Sequence, residues 1–186
     1  MNKILITLLM ICIFPSSIYA QQRRGTNQTT AKQSVVSPED MFLMTTSSMG
    51  TAKIYLEKLG YKSGNFSSGL YFYKNTQIKL STNNNGATTP VMVNPKAGAS
   101  LILVFPYPDA PYKDYVFFIL NTCRSKNIVD RWVAELKKMG YKSQPTESSS
   151  AQKRWKYYKP GDQNNTFELI YFISSGEYTL SRIRSE

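Results

Sequence analysis

Two stretches of this chain end alike. Residues 56–63 read LEKLGYKS and residues 136–143 read LKKMGYKS. In each, an apolar residue is followed by Gly, Tyr and Lys. Glycine reaches the left-handed conformation that closes a helix, and a tyrosine just past it can pack back onto the last turn. The spacing ahead of each ending is helical. Ala52, Leu56 and Leu59 recur before Gly60, with a start at Ser47 or Ser48, and Ile128, Val129, Trp132, Val133, Leu136 and Met139 form a wider apolar stripe before Gly140. A chain that spells one helix ending twice, each time ahead of its own strands, reads as an internal duplication. Capping accounts for the shared residues, so GYKS is structural and carries no chemistry.

After the first helix and a loop come GLYFYK (69–74) and QIKLS (77–81); a polar loop, TNNNGATTP (82–90), then precedes SLILVFPY (100–107) and DYVFFIL (114–120). After the second come KRWKYYK (153–159), TFELIYFIS (166–174) and EYTLSRI (177–183), separated by PGDQNN and SSG turns. The connections are too short for parallel crossovers, which predicts antiparallel pairing. SLILVF, DYVFFIL and TFELIYFIS are apolar on both faces and predict central strands. KRWKYYK sets Trp155, Tyr157 and Lys159 against Arg154, Lys156 and Tyr158, which predicts a strand near an edge with its basic face in solvent. The predicted fold is α+β: two tandem α-βββ repeats over residues 37–120 and 121–186, with helices packed on one face of antiparallel sheet. A further helix start lies at Ser37 and Pro38, with Glu39 and Asp40 near its positive end. This element order is similar, at fold level, to the tandem α+β repeats of the β-lactamase inhibitor protein family, whose concave sheet grips a partner protein. No motif of that family is matched residue by residue.

The leading residues predict export. Lys3, the apolar stretch ILITLLMICIF (4–14) and small Ala20 make a signal peptide of residues 1–20, with cleavage before Gln21; the stretch is shorter than the roughly 20 residues that span a bilayer. A lipoprotein signal through Cys12 fits poorly, because bulky Ile11 sits where the peptidase wants a small side chain. Residues 21–36 are polar and read as a flexible leader. Removal of the signal leaves Cys123 as the lone cysteine, so no intramolecular disulfide forms, and Cys123 reads as a small buried hydrophobe. The expected location is the periplasm or the extracellular space.

Chemistry is mostly excluded. The chain has no histidine, which removes the usual serine and cysteine triads and disfavours zinc. No phosphate loop, calcium loop or thiolate pair appears, so no cofactor and no metal are indicated. The acids follow no catalytic spacing. Loss of Lys3 takes the basic count from 23 to 22 against 12 acids, a formal +10, which attracts anionic partners: a protein, an anionic glycan, or peripherally a membrane surface. Nucleic acid is the least available of these to an exported chain. Two aromatic clusters remain. FPYPDAPYKDY (105–115) brings Tyr107 and Tyr112 to a proline-stiffened turn, and KRWKYYK interleaves Arg154, Trp155, Lys156 and Tyr157. The function expected is a non-enzymatic binding module that recognises a protein or glycan through these six residues. The alternative is a hydrolase of a cell-envelope glycan that assembles two of the scattered carboxylates.

Overall fold

The computed structural model describes residues 35–108 and 114–183, apart from the side chains of residues 163 and 164. The expected signal peptide, residues 21–34 of the expected leader, and Tyr112 lie outside the described residues. Val35 and Val36, which close that leader, are buried in the core.

Three helices form: α1 (Pro38–Met44), α2 (Met49–Lys58) and α3 (Lys126–Lys138). Ser37 caps α1 reciprocally. Its hydroxyl accepts from the Asp40 N–H at 3.1 Å, while the Asp40 carboxylate accepts from the Ser37 N–H at 2.9 Å. Ser48, rather than Ser47, caps α2 by accepting from the Thr51 N–H. The two GYKS endings close their helices in the same way. Gly60 and Gly140 take φ of +84° and +87°, and the Tyr61 and Tyr141 N–H groups return to the Leu56 and Leu136 carbonyls at 3.1 and 3.0 Å. Both tyrosines are buried against the core.

The strands are β1 (Lys62–Phe66), β2 (Gly69–Lys74), β3 (Gln77–Thr82), β4 (Thr88–Val93), β5 (Ser100–Pro106), β6 (Val116–Cys123), β7 (Lys142–Pro145), β8 (Gln152–Lys159), β9 (Asp162–Phe172) and β10 (Glu177–Ile183). Eight of them make one antiparallel sheet in the order β1-β2-β5-β6-β10-β9-β8-β7, and β3 pairs with β4 in a separate hairpin. The architecture is therefore α+β, as the sequence predicts, with three departures. The segments after each GY, expected as loops, are edge strands; KSGNF and KSQP have no apolar period to announce them, and Pro145 is tolerated because an edge strand leaves one row of backbone groups unpaired. Each of α2 and α3 is thus followed in the sheet by four strands rather than three. QIKLS leaves the main sheet altogether and pairs with residues 88–93, part of which reads as polar loop.

All three helices lie on one face. Two lines of paired residues cross that face. One runs Ser63, Phe72, Ile102, Asn121, Leu180, Leu169, Trp155, Pro145; the other, from the opposite edge, runs Ser143, Tyr157, Phe167, Arg182, Ile119, Val104, Leu70, Asn65. Met41, Met44, Ala52, Leu56, Ile128, Val129, Trp132 and Leu136 cover them from the helices. Within these two lines Asn121 and Arg182 are buried polar side chains, and both hold the α1 segment. The Asn121 amide and the Trp132 indole each donate to the Val36 carbonyl at 3.0 Å. Arg182 donates to the Thr45 hydroxyl at 2.8 Å and to the Asn165 side-chain carbonyl at 2.9 Å, its guanidinium 4.4 Å from the Phe42 ring centre. These two bonds and the aromatic face offset part of the cost of burying the guanidinium, whose Nη1 is buried without a hydrogen-bond partner among the described residues.

Candidate functional site

Among the described residues, a second layer covers one half only of the opposite face of the sheet, although Thr179 and Ser181 of β10 are also buried there. The β3–β4 hairpin lays Ile78 and Met92 against Tyr71, Tyr73, Leu101, Leu103 and Phe105 of the first four sheet strands. The side chains that β10, β9, β8 and β7 send to this face are of another kind. Its central line of pairs runs Gly64, Tyr71, Leu103, Leu120, Ser181, Glu168, Lys156, Gln144, and so passes from apolar to charged where β6 gives way to β10. The flanking lines add Thr179, Ile170 and Arg154 on one side, and Ile183, Thr166, Tyr158 and Lys142 on the other.

Within this patch Glu168 is opposed by two cations. Lys156 is its direct cross-strand partner, and Arg154 reaches diagonally to bring a guanidinium nitrogen 3.2 Å from the carboxylate. Both members of the Arg154–Glu168 pair are 36% exposed, so water screens it and it contributes at most about 1 kcal/mol. With its amide turned to place the oxygen toward Arg154, Gln152 accepts two further bonds at 2.8 and 2.9 Å. Arg154 is thereby held between Glu168 and Gln152, while Lys142 and Lys156 are exposed. A shallow pocket of about 520 Å³ opens beside Arg154 where β7 turns into β8, and Glu147 and Glu168 both border it.

The six residues expected to bind do not form one patch. Strand alternation sends Trp155 and Tyr157 to the helix side, where Trp155 packs against the core and Tyr157 is buried, its phenol pushed above the usual range by desolvation. Arg154 and Lys156 stay together on the other face. Tyr107 follows β5 at the end of the sheet away from Arg154, its ring 4.9 Å from that of Phe117 and its N–H bonded to the Tyr115 carbonyl. Tyr112 is outside the described residues. Tyr158, Glu168 and Gln152, none of them among the six, also join the patch. The period of two in KRWKYYK signals Tyr158 and Gln152, whereas the pairing of Glu168 with β8 has no signal in the sequence.

Cys123 is buried on the helix side, and burial pushes its thiol up to about 11. Several carboxylates are engaged structurally: Asp40 with Ser37 and Tyr55, Asp130 with Lys126, and Glu177 with Arg124. Among the described residues no three potential metal ligands gather. No protein-family model matches the chain, and no curated protein matches it.

Proposed function

We propose that this is an exported, non-enzymatic binding module made of two related α-β4 units, which holds an acidic protein or an anionic glycan on the face left bare by the hairpin. The single observation that carries the reading is the asymmetry of cover. Among the described residues the chain provides a lid for the apolar half of this face and none for the basic half, where Arg154, Lys156 and Lys142 outnumber Glu168. A fixed guanidinium with exposed ammonium groups beside it suits carboxylate or sulfate recognition.

The repeat is supported by registers rather than by sequence identity. The two lines of pairs on the helix side match position by position when each is followed from its own edge: Phe72 with Tyr157, Ile102 with Phe167, Asn121 with Arg182. Partners match as well. Ser100 bonds Asn121 as Asn165 bonds Arg182, and Lys74 lies over the Tyr61 ring as Lys159 lies over Tyr141, at 5.6 and 5.0 Å. Duplication yields a long sheet surface with no chemistry of its own. The apolar stretch of residues 4–14 supports export.

The test is capture from envelope and secreted fractions with the chain from residue 21 onward, at low and moderate salt, beside an Arg154→Ala, Lys156→Ala variant and a Tyr107→Ala variant. The expected outcome is a defined partner retained at moderate salt, lost with the first variant and kept with the second. Equal capture by the first variant would overturn the assignment of the face. One observation favours a hydrolase as a second reading: Glu147 and Glu168 border one pocket. It predicts glycan cleavage abolished by Glu147→Gln or by Glu168→Gln.

A further inference from the structure

A second cationic feature lies outside that face, at the root of the hairpin. Where β2 leaves the sheet for β3 and β4 returns toward β5, a cleft of about 400 Å³ is lined by Lys62, Lys74, Lys96, Asn75, Asn94 and Thr76, with no acidic residue among the described residues of its wall. The cleft is created by the hairpin. Between β8 and β9 the chain turns through Pro160 and Gly161 with nothing to form a second wall, although Lys159 and Tyr141 are arranged there as Lys74 and Tyr61 are here.

Its walls are tied in place. The Lys96 N–H donates to the Asn75 carbonyl at 2.9 Å, the Asn75 amide donates to the Ala97 and Gly98 carbonyls, and the Thr76 hydroxyl donates to the Val93 carbonyl at 3.0 Å. Asn75 and Asn94 both adopt left-handed backbone, with φ of +55° and +50°, a conformation that asparagine takes more readily than most residues and that fixes the two turns at the root of the hairpin. Lys74 is oriented by donating to the Leu59 carbonyl at 2.8 Å, which leaves two ammonium hydrogens. Lys62 and Lys96 are exposed, and none of the three lysines makes an ion pair with a described residue.

We infer that this cleft binds a phosphate-type oxyanion, with Lys62 and Lys96 supplying the charge, Lys74 a further donor held by the Leu59 carbonyl, and Asn94 and Thr76 neutral polar groups of the lining. Three lysines bordering one cleft, with no carboxylate among its described lining residues, suit a compact dianion, for which lysine serves as a point charge. The same chemistry is presented by a phospholipid headgroup and by a soluble phosphate ester. The site is independent of Arg154 and Lys156.

The experiment is an NMR titration of the isotopically labelled chain from residue 21 onward, first with inorganic phosphate and pyrophosphate, then with vesicles of neutral and of anionic phospholipid. Saturable shifts confined to residues 73–77 and 94–96 are expected. They weaken by about tenfold in affinity in a Lys62→Gln, Lys96→Gln variant and persist in a Lys79→Gln, Lys153→Gln variant that removes two exposed lysines elsewhere. The unliganded spectrum of each variant verifies the fold. Response to the soluble anions alone assigns a soluble ester, and response to anionic vesicles that is lost in the cleft variant assigns a headgroup. Shifts spread over surface lysines generally, or equal weakening by both variants, would overturn the site.

Discussion

Cys123 shows how one residue joins packing to pH. Its side chain is buried among the strands and helices, its Sγ 3.9 Å from the Ser125 carbonyl, and burial raises the thiol from an ordinary value near 9 to about 11. A raised folded value means that the neutral form is favoured on folding. Below pH 9 the thiol is neutral folded and unfolded, so its stabilisation is complete; between pH 9 and 11 the unfolded chain releases a proton that the folded chain keeps, and stability falls. The loss is on the order of 2 kcal/mol by pH 11. Buried Tyr61, Tyr141 and Tyr157 are also raised, with burial the leading cause, and add a loss of the same sign at higher pH. Urea unfolding from pH 8 to 10 should therefore show a decline that Cys123→Ala flattens, whatever constant cost of about 1 kcal/mol the small cavity adds. A thiol reagent at pH 8 should leave the native protein unmodified and label it once unfolded. Rapid native labelling would show that the thiol is open to solvent.

At the scale of elements the two GYKS caps make a paired prediction. Gly60 and Gly140 share a left-handed φ; a side chain at Gly140 would meet nothing within 4 Å, and one at Gly60 would meet only the end of Lys74 at 3.6 Å. The penalty for alanine is thus conformational rather than steric, and Gly60→Ala and Gly140→Ala should each cost about 1–2 kcal/mol, read as a lowered urea midpoint with an unchanged slope. A marked inequality would mean that one cap is held by its surroundings instead of by glycine. These endings are the most legible part of the sequence because the αL requirement is written in a single residue type. The caps at Ser37 and Ser48, and the all-apolar β5, were legible for similar reasons. Strands β1 and β7 were not, since KSGNF and KSQP owe their extended state to backbone pairing with β2 and β8. Nor was the fate of QIKLS, whose alternation fits a strand in any sheet. For the proposed binding face, the period of two separates Arg154 and Lys156 from Trp155 and Tyr157, but cross-strand partners such as Glu168 depend on a register that no local pattern encodes.

For the molecule as a whole, the hairpin is what makes the two halves of the sheet different. If the halves are matched through their registers, Leu101, Leu103 and Phe105 occupy the positions of Thr166, Glu168 and Ile170 in the other half. Two of the three positions are polar where the face is bare, and all three are apolar where Ile78 and Met92 cover it. Side-chain character therefore follows the presence of the lid, as expected if the segment between β2 and β5 is an elaboration on a unit that otherwise turns tightly as β8 and β9 do. Joining Lys74 to Ser100 by a Pro-Gly turn would remove the lid and expose a contiguous apolar patch, the kind of surface that drives association. The expected result is strong binding of a hydrophobic dye and sedimentation as oligomers. Adding Leu101→Thr and Leu103→Glu to the same shortened chain should return it to a monomer with weak dye binding, because the sheet strands and the helix-side core are untouched by either change. A shortened chain that stays monomeric without those substitutions would mean that the hairpin is not a cover. The difference in character between the two halves of the face would then need another cause.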